Sequence, residues 1–288
     1  MTAAAPSGHR EQTWRPLEAR RAQQLVDARL QLHHAAQLVA GLGISYLPKR
    51  DDDSHTNMEW LPAVNALASN AIGPDEFRLA VRPRNLNLIA LVADSEVACF
   101  RLATRTLGEA VEWVRRTTVQ NGLDADRYTL AKHYTIPPHA VGEGRPFDAA
   151  DREEFEQLDH WFADAALMLQ DVASNTPNAS AVRCWPDHFD IATLIDLGNG
   201  RSVGVGLEPG DQYYAEPYWY VNSNPPPPAD APKPPLDGGG LWHAQEWTGA
   251  VLPGSRLDAA DQKDQVSRFT ASAIAASVAL ATHAAMPR

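Results

Sequence analysis

Between Asn57 and Leu102 the chain passes through four apolar-rich segments: Asn57 to Leu67, Glu76 to Arg82, Asn85 to Ala93 and Glu96 to Leu102. Only Gly73-Pro74, Pro83 and Asp94-Ser95 separate them. These are turn formers, and connections this short leave no room for the crossover helix that a parallel strand pair needs. The sheet is therefore expected to be largely antiparallel. Further strands are expected at Arg127 to Thr135, Asp190 to Leu197, Ser202 to Leu207, Tyr218 to Asn222 and Leu241 to Val251, with an irregular connection from Pro137 to Arg145.

Helices are expected around these strands. Arg15-Pro16 opens the first, since proline is tolerated where the amide lacks an intrahelical partner. Leu25, Ala28, Leu32, Ala35, Ala36 and Val39 recur at helical spacing as one buried stripe, and Gly41 and Gly43 are expected to stop it. Leu107 to Thr118, Phe155 to Leu169 and Val266 to Leu280 show the same period. The expectation is an α+β fold in which the order helix–strands–helix occurs twice, as a pseudo-repeat. A single domain is expected over residues 14–286, after an exposed or disordered stretch from Met1 to Thr13.

Composition narrows the class. The 288 residues carry 25 Lys+Arg against 36 Asp+Glu, a net charge of −11, and 44% of them are apolar. An acidic chain lacks the basic footprint of a nucleic-acid binder, so no nucleic-acid partner is expected. The longest apolar stretch, Ala271 to Ala285, is too short for a membrane span. Met1 to Thr13 has no apolar core of a secretory signal. Two cysteines, Cys99 and Cys184, fit a reducing compartment, and a cytoplasmic location is expected. Of 22 prolines, seven lie between Pro225 and Pro235, followed by Gly238 to Gly240. This Pro/Gly-rich loop at 225–240 is expected to join two neighbouring strands, as a solvent loop or as a flap over an aromatic cleft.

Five phrases fall in a recognisable order. They are Leu32 to Val39 (with His33 and Gln37), Arg145 to Asp148, Trp185 to Ala192, Glu208 to Asp211 and Glu216 to Tyr220. Together they resemble the bacterial domain-of-unknown-function family 5996, over a span from about Trp14 to about Ser277. Ala40-Gly41-Leu42 and His55 to Trp60 depart from its pattern. The resemblance implies one integrated domain and carries no activity.

The residues suggest three kinds of function. His33 and Gln37 share a helix face. Tyr218 and Tyr220 alternate onto one strand face opposite Trp219. With Trp185 these residues could line a small-molecule cleft, extended by Trp242, His243, Glu246 and Trp247 on the following strand. Alternatively, an extended His188-Phe189-Asp190 would put imidazole and carboxylate on one face, as metal ligands or as an acid/base pair. His33, His55, His133 or His243 would then be the third metal ligand. The structural alternative for His188 and Asp190 is a turn residue and a local hydrogen-bonding cap. The third kind is a protein-interaction module using the proline segment or the acidic helix, where eight acids between Asp148 and Asp171 face only Arg152. No nucleophile elbow, Walker loop or dinucleotide fingerprint is present, and no cofactor is expected; Gly204-Val205-Gly206 lacks the third glycine.

Overall fold

The computed structural model describes residues 13–228 and 231–283, so the Met1–Thr13 expectation lies outside them except for the exposed Thr13. Among these residues four α-helices pack on one sheet of eleven strands. The helices are α1 (Val26–Tyr46), α2 (Leu107–Gln120), α3 (Arg152–Asn175) and α4 (Gln262–His283). The first run of strands is β1 (Met58–Leu61), β2 (Ala66–Ser69), β3 (Arg78–Arg82), β4 (Asn87–Val92) and β5 (Ser95–Arg101). The second is β6 (Arg183–Cys184), β7 (Ile191–Gly198), β8 (Arg201–Glu208), β9 (Tyr218–Asn224), β10 (Leu241–His243) and β11 (Gly249–Pro253).

Their spatial order is β10-β11-β9-β8-β7-β6-β1-β2-β3-β4-β5, and every neighbouring pair is antiparallel. The two runs meet at the Met58–Cys184 pairing. A structural repeat is not supported. The first run is a plain meander, whereas in the second β11 lies between β9 and β10. No helix among the described residues is long and apolar enough to cross a membrane.

Two expected strands are in fact hairpins. Asn57 to Leu67 folds back at Asn65, which has φ of 47°. Leu241 to Val251 folds back at Glu246, with φ of 64°. The left-handed conformation of non-glycine residues conceals both turns in the sequence. The Arg127–Thr135 segment forms no strand; it begins in a short 3-10 turn, Ala125–Arg127.

Instead, residues 123–148 wrap α1, and hydrogen bonds to the helix take the place of a ladder. Tyr128 donates its hydroxyl to Leu38 O at 2.7 Å, Asp148 N donates to Gln31 Oε1 at 2.7 Å, and Ser45 Oγ accepts from Thr129 N at 2.9 Å. His34 is buried under this wrap with Nε2 3.2 Å from Pro137 O. Sixteen of the 21 residues of α1 are buried, so the helix has no solvent face of ordinary width. Its glycines do not end it. A Cβ on Gly43 would lie 2.0 Å from His55 O, and one on Gly41 2.9 Å from Leu130 Cδ2. Both are close-approach positions inside a helix that continues to Tyr46.

Helices α1, α3 and α4 pack on β2 and β3, on β7 and β8, and on β8, β9 and β11 respectively. The inner face carries the main core, including Leu79, Val81, Leu88, Ile191, Val205, Leu207, Trp219 and Leu252. The described part of 225–240 does not cover the outer face. Gly238 O accepts from Gln265 Nε2 at 2.8 Å and Asp237 N donates to Ser272 Oγ at 3.0 Å, so the segment lies along α4.

Candidate functional site

The site begins at a tight turn. Phe189 N donates to Trp185 O at 2.7 Å, and Trp185 N donates to Asp190 O at 2.9 Å. Phe189 has φ of 71°, a conformation that costs on the order of 1–3 kcal/mol for a residue with a Cβ. Its ring is wholly buried, stacked on His33 at 4.8 Å and 6° and in contact with Phe162 at 5.2 Å. That burial offsets the backbone strain.

His33 and Gln37 hold the same turn from beneath. His33 Nε2 donates to Pro186 O at 2.9 Å, and Gln37 Nε2 donates to the same oxygen at 2.8 Å. Tyr134 Oη completes the set, donating to Gln37 Oε1 at 3.0 Å. Burial pushes the His33 imidazole down to about 4, so it is neutral at pH 7 and its Nε2 carries the proton. The shared helix face expected for His33 and Gln37 is real, but it supports the turn and lines no cleft.

Asp190 leaves this turn onto the outer face of the sheet, away from the helices. The left-handed Phe189 breaks the period of two, so His188 and Asp190 do not form the extended pair that the metal reading requires. The His188 side chain is 80% exposed, with Asp187 Oδ2 3.8 Å away. Each suggested third ligand is engaged elsewhere: His33 as above, His55 with Arg50 N, His133 with Asp53, and His243 with Tyr214 and Gln245. Among the described residues no group of three or more His, Cys, Asp or Glu could hold a metal ion.

The partner of Asp190 is Tyr220, whose hydroxyl donates to Oδ2 in a short hydrogen bond. Tyr220 reaches it by lying across β8. Ala192 pairs with Gly206 and Gly206 with Tyr220, and a Cβ at 206 would sit 2.6 Å from the Tyr220 ring. Gly204 does the same for Asn222, whose Oδ1 would be 2.6 Å from an added Cβ. Val205 between them points into the core. Gly204-Val205-Gly206 is thus a floor over which β9 side chains lie flat.

Above that floor is a cleft of about 250 Å³, lined by Ser180, Trp185, Asp190, Ala192, Leu194, Gly204, Tyr220 and Asn222 among others. Trp185 and Tyr220 line it together with Asp190, which sequence reasoning pairs with His188 instead. Tyr218 shares their face but not the cleft.

Behind the cleft the same face carries buried charge. Ile191 pairs with Leu207, which brings Asp190 level with Glu208 and Glu208 opposite Tyr218. Glu208 is 6% exposed, and its Oε1 has no hydrogen-bond partner. Burial raises its carboxyl well above the usual range. Asp211 Oδ2 accepts from the Tyr218 hydroxyl at 2.8 Å, while Oδ1 accepts from the amides of Tyr213 and Tyr214. Arg29 donates Nη1 to Gly210 O and faces Glu208 and Asp211 electrostatically; its Nε is buried without a partner. Burial, opposed by Tyr220 and His188, pushes Asp190 up to about 6, and burial raises the Tyr220 hydroxyl well above its ordinary value. At pH 7 the cleft thus presents one carboxylate, held by a protonated phenol.

An aromatic stripe continues along the outer face towards β10. Tyr220, Tyr218, Tyr214, His243 and Trp247 follow one another at centroid separations of 6.4, 4.8, 5.6 and 4.4 Å. His243 and Trp247 belong to it, whereas Trp242 packs against the core and Glu246, at the hairpin turn, accepts from the Tyr213 hydroxyl at 2.6 Å. Cys184 is wholly buried with its thiol pushed well up by that burial, so it is no nucleophile.

No known family, curated protein or solved structure matches this chain.

Proposed function

We propose that the protein binds a small molecule in the cleft between Trp185, Asp190, Tyr220 and Asn222. The observation that carries this reading is the glycine floor. Two glycines in the middle of an eight-residue strand weaken the sheet, yet here Gly206 lets the Tyr220 ring lie across β8 to Asp190 and Gly204 lines the space beside them. The cleft, about 250 Å³, is larger than the roughly 150 Å³ that holds a benzene ring and smaller than the roughly 300 Å³ of drug-sized pockets. A ligand of one substituted ring fits that range.

The same reading takes the chain as a relative of family 5996. His33, Gln37, Trp185, Asp190, Gly210, Tyr218 and Tyr220, which carry the resemblance, converge on this turn and its neighbouring strands. The His188–Asp190 acid/base pair is the weaker reading, because His188 faces solvent. The Pro/Gly-rich loop supplies no flap over the cleft in its described end, where Asp237 and Gly238 are bonded to α4.

Ligand screening by thermal shift tests the proposal, with Gly204→Val as the blocking variant. Valine suits a strand and meets the tip of Asn222, so the variant should fold. Ring-sized hits should lose at least about tenfold in affinity in the variant, the equivalent of about 1.4 kcal/mol. Hits that bind the variant unchanged would refute the cleft as the site.

A further inference from the structure

We infer that the cleft selects a cation: a protonated or quaternary amine on a small apolar body, with its positive charge set against the Asp190 carboxylate and the faces of Trp185 and Tyr220. This rests on the reading of the cleft as a binding site and adds the class of ligand.

The argument is one of charge and partners. Among the described residues lining the cleft none is Lys, Arg or His, and Asp190 is the charged one. It is 8% exposed, and Tyr220 supplies the one side-chain hydrogen bond it receives. A carboxylate so enclosed wants a second partner of opposite charge. The nearby cations are committed elsewhere. Arg183 donates to Val182 O and pairs with Glu59 at 3.2 Å. Arg29 is bound to Gly210 O and faces Glu208 and Asp211. His188 stands in solvent beside Asp187.

An anionic ligand would meet Asp190 uncompensated, with Asp187 beside it on the same turn. A neutral ligand would leave the carboxylate as it is. A cation gains both the charge and the ring faces, which attract positive charge when desolvated.

The groups facing Asp190 also fix the sign of the pH response. They are Asp187 and His188 on its own turn, Cys184 on β6, Glu208 on β8, and Tyr218 and Tyr220 on β9. A cation binds the ionised carboxylate, so affinity should rise with pH through about 6. His188 is the imidazole on the same turn, so His188→Gln is the control that isolates Asp190.

Calorimetric titration of the full chain with benzylamine, benzyl alcohol and benzoate separates the outcomes. At pH 7.5 benzylamine should bind at least about tenfold tighter than benzyl alcohol, and benzoate weakest, as expected for a charge-assisted contact. Asp190→Asn keeps an acceptor for Tyr220; it should remove that advantage and leave benzyl alcohol within about twofold. Binding of benzylamine by His188→Gln should still weaken as the pH falls from 7.5 to 5. Equal binding of amine and alcohol, both blocked by Gly204→Val, would overturn the cation assignment and leave the cleft reading standing. Benzoate binding most tightly would overturn it as well. If no probe binds, or if Gly204→Val leaves binding unchanged, both the assignment and the cleft reading fall.

Discussion

The outer face of the sheet is built in two ways on either side of the Met58–Cys184 junction. On β2, β3 and β4 it carries Ala66, Ala68, Ala80, Ile89 and Leu91, all wholly buried in a small second core. Arg78 and Arg82 flank Ala80 on this face and pair with Glu59 and Glu96. On β7, β8 and β9 the same layer holds Ala192, Gly204, Gly206, Tyr220 and Asn222, and a cleft remains. The inner faces are alike, apolar and closed. What differs outside is whether small residues sit beneath aliphatic neighbours, which fill the space, or beneath flat polar ones, which line it.

The largest expected effect contrasts one apolar truncation in each half. Ile89→Ala should cost about 2–4 kcal/mol, because a wholly buried side chain leaves a cavity. Leu194→Ala, at a side of the cleft where the residue is 49% exposed, should cost under about 1 kcal/mol. Chemical denaturation of both variants checks this; equal losses would erase the contrast between a closed and an open half.

A smaller effect is expected from Gly206→Val, which should lose about 1–3 kcal/mol by forcing the Tyr220 ring off β8. It should also raise the Asp190 pKa, by removing the hydrogen bond that holds it down. Tyr220→Phe should raise that pKa without the steric clash. Carboxyl carbon shifts followed against pH would record both, and an unmoved Asp190 would mean that Tyr220 does not hold it.

The smallest net effect in the wild type is the acid response at the turn, where two groups act in opposite senses. His33 titrates near 4 in the folded state against an ordinary 6.5, so the unfolded chain binds its proton first and stability falls as pH drops from 6.5 to 4. Asp190 titrates near 6 against an ordinary 3.8, so the folded chain binds its proton first and stability rises as pH drops from 6 to 3.8. Each acts with a limiting slope of about 1.4 kcal/mol per pH unit, and in the wild type they oppose. Relative to the wild type, Asp190→Asn should therefore steepen the acid loss and His33→Gln should reduce it. Amide exchange across 185–190 and β3, a strand with no histidine, would separate this local effect from general acid unfolding.

Much of this was legible in the sequence, and the illegible part has physical causes. The stripes of α2 and α3 and the alternation of β7, β8 and β9 follow from periodicity, because each has one buried face. Helix α1 misleads because it is buried nearly all round, and its glycines serve neighbours from distant sequence. The 127–135 segment alternates like a strand but finds its partners in helix side chains. At the site, Trp185, Asp190 and Tyr220 could be named from local chemistry, whereas His188 could not be dismissed without knowing the backbone of Phe189. Arg29, Glu208, Asn222 and the two glycines depend on strand register, which one sequence does not specify. The usable clue was Gly-x-Gly in one strand and Tyr-x-Asn in the next.

The central claim is that the open half of the outer face is where a ligand sits. The most direct measurement is the indole N–H resonance of Trp185, assigned by Trp185→Phe, during titration with benzylamine. Trp60, on the inner face of the other half, is the internal reference. The account predicts a saturable shift at Trp185 with Trp60 unmoved. A still Trp185, or equal shifts at both, would contradict it.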